Sequence, residues 1–143
     1  MLESSCSEVA SGTAPSAPLV GAHTTLRAAC ERNGPAVVVR TCGDVDASNE
    51  DAWRAVLSKT AATVSAPGPL VFDIRHMHFV GCGAILVLAQ EARRCRRRGV
   101  PLHLVNDQPV VVRVLTAGGL RPLLSIHPTV ETALAGAIPP AAT

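Results

Sequence analysis

Aromatic residues are almost missing from this 143-residue chain: it has no tyrosine, and Trp53, Phe72 and Phe79 make up the whole 2%. A core without rings has to be filled by Val, Leu, Ile and Ala, which favours short elements stacked closely. The same lack excludes a base-stacking platform for single-stranded nucleic acid, which needs several exposed rings. Charge of one sign is also lacking. With 13 Lys and Arg against 11 Asp and Glu, the formal net charge is +2, so bulk charge points to no nucleic-acid partner and no anionic membrane surface. The longest uncharged apolar stretch, Phe79 to Ala89, is about half of the ~20 residues a membrane-spanning helix needs. Cysteine is present without a pairing pattern. Cys6, Cys30, Cys42, Cys82 and Cys95 are odd in number, scattered, and without a CxxC, which argues against both a disulfide framework and a zinc site. His76 and His78 stand two apart with no cysteine or carboxylate in ligand rhythm around them. Neither a metal nor a cofactor is expected. The opening Met1-Leu2-Glu3-Ser4-Ser5 shows no basic or apolar leader pattern, so a cytoplasmic location is the default expectation.

What is there is apolar and alternating. A 48% hydrophobic composition is ample for a folded domain. Residues 1–24, rich in Ser, Ala, Pro, Gly and Thr, read as a disordered tail, and 138–143 as a second tail. Between them, Leu26–Glu31 and the β-branched run in Ala36–Thr41 read as two strands joined by a turn at Asn33-Gly34-Pro35. Ser48 opens a helix with Asp51 three residues on, and the helix fades by Ser65. Leu70–Ile74 is a buried strand, His76–Phe79 a loop, and Gly81-Cys82-Gly83 the start of a second helix running to about Arg98. Leu102–Val105 is a strand, Pro109–Ala117 a helix stopped by Gly118-Gly119, Leu123–Ile126 a weak strand, and Thr129 caps a last helix to Ala137. Strands separated by helices require crossovers and therefore parallel pairing. The expected fold is α/β: a small mixed sheet of about five strands, mostly parallel with an antiparallel edge, and four helices.

Three stretches carry chemistry that matters for function. At Gly81-Cys82-Gly83-Ala84 small residues allow a sharp entry into a helix whose first amides favour an anion. The cysteine there is either a small thiol in a tight turn or a reactive one. The glycine spacing matches no phosphate-binding loop, and no Lys-Ser/Thr follows. The cluster Arg93-Arg94-Cys95-Arg96-Arg97-Arg98 complements the negative end of a helix dipole. Asp44, Asp46 and Asp73 lie near strand ends, where carboxylates serve catalysis, cap helices or close turns. No histidine or lysine is spaced to complete an acid–base pair, so there is no enzyme signature. The run Ile85-Leu86-Val87-Leu88 is apolar all round. It is either wholly core or partly an apolar rim of the kind that suits protein docking.

Taken together, the body resembles the STAS-domain proteins of the bacterial anti-sigma-factor antagonist family. The resemblance rests on Val38–Asp46 with its Gly-x-x-Asp exit at Gly43 and Asp46, and on Leu70-Val71-Phe72-Asp73-Ile74. It continues through Gly99–Asn106 and through Val112–Leu120, and covers about residues 25–137. It implies docking on an anti-sigma factor, a kinase-like protein, with consequent control of sigma-factor-dependent transcription. In that family the partner phosphorylates a serine or threonine at the start of the second helix. Cys82 falls on that position here and Gly81 on the preceding acidic one. No Ser or Thr lies between Ser65 and Thr116, so phosphorylation control is doubtful. The expected contact face comprises Gly43, Asp44, Asp46, His78, Phe79, Gly81, Cys82, Gly83, Ala84 and Ile85. Two other readings stay open: a thiol-based redox sensor acting through Cys82, and a scaffold subunit that self-associates in a larger signalling assembly; a homodimer is a further partner expectation.

Overall fold

The structure, a computed structural model, describes residues Leu26 to Ala137. The expected tails at 1–24 and 138–143, and Cys6 with them, lie outside the described residues. Five strands form one sheet in the order β1 (Arg27–Asn33), β2 (Ala36–Val45), β3 (Leu70–Val80), β4 (Leu102–Val105), β5 (Ser125–His127). β1 pairs antiparallel with β2 through the turn at Gly34, whose φ of 63° suits glycine. All other pairings are parallel. The helices are α1 (Glu50–Ala62), α2 (Cys82–Arg97), α3 (Pro109–Ala117) and α4 (Val130–Ala137). The α/β class, the mixed sheet and the four helices agree with the sequence expectation.

Burial divides the helices between two faces. Successive strand residues point to opposite sides, so Val37, Val39, Leu70, Phe72, Ile74, Leu102 and Leu104 join the main core under α1, α2 and α3. Val38, Val71 and Val105 turn the other way and meet Val130 and Ala133 of α4 in a small second cluster. Apolar residues on both faces explain why the central strands read as continuous β-branched runs. The few rings are placed centrally: Trp53 and Phe72 are fully buried and meet edge to face, 6.0 Å between centroids.

Three local expectations change. The stretch His76–Phe79 is strand, not loop, because β2 and β3 run on together past the rest of the sheet. Their register shifts between Arg40 and Cys42 and again between Gly43 and Asp44, which breaks the period-two pattern that marks a strand in sequence. The first helix is not opened by Ser48 and Asp51. Asp46 caps a 3-10 turn over Ala47–Asn49, with its side chain accepting from Ser48 N and Asn49 Oδ1 accepting from Asp46 N, and α1 begins at Glu50. The last strand is Ser125–His127 rather than Leu123–Ile126, since Arg121–Leu123 coil into a 3-10 turn. Thr129 does cap α4, accepting from Thr132 N at 3.1 Å.

Candidate functional site

The prolonged β2–β3 pair carries the expected contact residues to one end of the molecule. Asp44 stands opposite Phe79 and Val45 opposite Val80 across the ladder. Gly81 then closes the corner, its amide donating to the Val45 carbonyl at 2.9 Å and its carbonyl taking the first helical bond from Ile85 N. A side chain at Gly81 would lie between the Val45 carbonyl at 3.4 Å and the Phe79 ring at 3.6 Å. A Cβ would fit there in ordinary van der Waals contact, so the corner is close-packed without requiring glycine. Asn49 Nδ2 donates to the Asp44 carbonyl at 2.8 Å, which ties the cap of α1 to the same corner. Serine hydrogen bonding holds the Asp46 carboxyl below its ordinary value, first through the Ser48 hydroxyl and then through the Ser48 amide.

Cys82 opens α2 and is exposed. Around it Phe79 is 53% and Leu86 46% exposed, while His78 and Gly83 also face outward. Leu86 lies one helical turn from Cys82, so thiol and isobutyl group share a face. The run 85–88 is thus mixed: Leu86 is rim, while Ile85, Val87 and Leu88 are core. Of the expected contact residues, Ala84 and Ile85 are buried at 2% and 1%, and Gly43 is buried as well. These three shape the end from beneath and offer it no side-chain surface. Ala84 also serves as an anchor, because Trp53 Nε1 donates to its carbonyl at 3.0 Å and pins the first turn of α2 to α1.

Glu50 belongs to this end and was not singled out by sequence reasoning. Its carboxylate lies against Gly83, where any Cβ would collide with it. A carboxylate at the positive end of a helix is favourable. Its position 33 residues from Gly83 leaves no local signal; only the packing of α1 on α2 reveals it. Gln108 was missed as well, and its Nε2 donates to the Met77 carbonyl at 3.0 Å, joining the start of α3 to this end.

The other candidates resolve into structure. Asp73 is fully buried and held by Arg75 through Nε and Nη2, at 3.0 and 2.8 Å, so it closes a strand irregularity. Cys95 is buried, and desolvation pushes its thiol up, with Glu91 adding to the effect; Cys30, half-buried, moves the same way by desolvation. Cys42, Cys82 and Cys95 are free thiols. Among the described residues no group of three or more His, Cys, Asp or Glu is placed to hold a metal ion, and no helix is long and apolar enough to cross a membrane.

A five-stranded mixed sheet with three helices on one face, and an open corner where β3 enters α2, is the architecture of a known family. The STAS domain family model matches residues 27–133, and the chain belongs to that family. Among its relatives, a Mycobacterium tuberculosis protein named as a candidate anti-anti-sigma factor, Rv2638, is 48% identical over 112 residues, covering 78% of this chain and 76% of the relative. The anti-sigma-F factor antagonist RsfA of the same species is 43% identical over 109 residues, covering 76% and 85%. In three dimensions, an anti-sigma factor antagonist from Mycobacterium paratuberculosis superposes with a TM-score of 0.69 at 22% identity, covering 82% of this chain and 98% of that one.

Proposed function

We propose that this protein is an anti-sigma-factor antagonist: it binds an anti-sigma factor at the Cys82 end and so frees a sigma factor for transcription. The single observation that carries the docking face is the exposed rim of Phe79 and Leu86 beside Cys82, on a corner shaped by buried small residues. Exposed apolar groups gathered at one place, rather than scattered singly, mark a contact surface, and this pair flanks the helix start. The reading of the role is supported by two relatives above 40% identity that carry antagonist names. Binding, not catalysis, is the activity. The partner is kinase-like, and docking takes place in the cytoplasm. Because a thiol stands where the family's phosphorylated hydroxyl is expected, the partner does not switch this protein off by phosphorylating position 82.

The test is calorimetric titration of the full chain against the anti-sigma factors encoded by its source genome. Wild type binds at least one of them. Cys82→Asp, which places a carboxylate on the face, and Phe79→Ser each weaken binding by roughly tenfold or more, as expected for central interface positions. Arg97→Ala, at the far end of α2, leaves affinity unchanged. Equal binding by the two face variants would move the docking surface elsewhere. Failure of wild type with every anti-sigma factor would end the antagonist reading, and a wild-type dimer blocked by Phe79→Ser would favour self-association instead.

A further inference from the structure

On the sheet face away from the main core, His103 of β4 and His127 of β5 meet. Their Nδ1 and Nε2 atoms are 3.1 Å apart and their ring centroids 5.1 Å apart. His103 is 8% exposed and His127 half-buried. At that separation one ring donates its N–H and the other accepts, so the contact exists only while at least one ring is neutral. The helix on this face has little else to hold it. α4 rests on Val38, Val71 and Val105 through Val130 and Ala133, with Leu134 at the margin. Its last turn lies over the His127 ring: a Cβ at Gly136 would stand 3.1 Å from Cε1.

We propose that the His103–His127 pair is an acid-sensitive latch for α4, closed while the two rings share one hydrogen bond and opened when both are protonated. Two imidazolium rings at this distance repel each other on a partly desolvated face. Among the described residues no carboxylate forms an ion pair with either ring. On β3, Asp73 is bridged to Arg75; Glu131 of α4 and Asp107 after β4 also act on Arg75. β5 adds only Ser125 beside His103, and Arg121 in the turn before β5 donates to Thr116. Glu91 and Arg94 of α2 pair with each other, and α2 packs on the opposite side of β4. Burial lowers both imidazoles below their ordinary 6.5, and the neighbouring ring lowers His103 in addition. The sign follows. A depressed folded value means that the unfolded chain binds more protons below about pH 6.5, so the latch's contribution is full above that pH and is lost as the pH falls. The inference does not depend on the docking reading, since the pair sits on the far face of the sheet from α1 and α2.

The test is an NMR titration of the isotopically labelled full chain from about pH 8 to about pH 5, the range of imidazole titration. Both rings should titrate below 6.5. Over the same window, hydrogen-exchange protection of α4 amides should fall by about tenfold relative to those of α2, the change that one linked proton gives over one pH unit. In His127→Gln, which keeps a hydrogen-bonding group without a titrating ring, that relative loss should shrink to about twofold or less. Rings that titrate independently at the ordinary value would overturn the latch. So would wild-type α4 protection that tracks α2 throughout, a result that needs no variant to fold.

Discussion

The two ends of α2 are built by opposite means. Its N-terminal end has no side-chain cap and no charge of its own; Gly81, Cys82 and Gly83 bring the backbone close to its neighbours, and the order comes from Trp53 and Glu50 of α1. Its C-terminal end is tied down by arginines. Arg98 donates to the carbonyls of Ala61 and Val64, the latter at 2.6 Å, Arg96 to that of Pro122, and Arg94 pairs with Glu91. Cations there complement the helix dipole and also reach the carbonyls where the chain leaves α1. The difference is instructive. The closed end uses long polar side chains to fasten loops, whereas the open end uses small residues and leaves apolar surface facing outward.

That contrast can be broken most severely through Trp53. Trp53→Ala removes the Ala84 anchor and half of the ring pair, and should cost about 3–5 kcal/mol in urea unfolding. Cys82 should then react faster with an alkylating reagent; an unchanged rate would mean that α1 does not hold the open end. Arg98→Ala removes the guanidinium bonds to the Ala61 and Val64 carbonyls, of which Ala61 keeps the Val64 amide, and should cost about 1 kcal/mol. Its effect should stay at the closed end, so a change in Cys82 alkylation would show the two ends to be coupled. Asp46→Ala removes the cap of the 3-10 turn and should lower Tm by a smaller amount. Because its carboxyl is held low in the fold, the wild-type advantage is present above about pH 3.8 and is lost as the pH falls through the folded value. Least of all, Leu86→Ser should leave stability within about 0.5 kcal/mol, since the side chain is already half exposed. Its effect belongs in binding: a loss of affinity with stability intact would sharpen the open end into a docking surface.

How much of this was legible before the fold was known depends on the range of each interaction. The helix over Cys82–Arg97, the strand Leu102–Val105 and the helix Pro109–Ala117 follow from apolar spacing and from Pro and Gly at their ends. That Gly43 to Asp46 and His78 to Gly83 come together at one end was also readable in outline, because they lie in two continuous stretches at the ends of neighbouring strands. The continuation of β3 to Val80 was not, since Arg75, His76 and His78 look like loop until β2 supplies their ladder partners. Nor could the inward turn of Ala84 and Ile85 be told from the outward turn of Leu86 inside one unbroken apolar run.

The near absence of rings determined, by itself, that the core would be mainly aliphatic and that at most a ring or two could serve any contact surface. Phe79 is the single ring left for the outside; Trp53 and Phe72 were drawn into the core. What tertiary structure alone decided are the meetings of distant residues: Glu50 with Gly83, Trp53 with Ala84, His103 with His127. Local spacing reports the periodicity of one element at a time. Which faces then meet is set by the burial of whole elements against one another, and no short stretch of sequence contains that information.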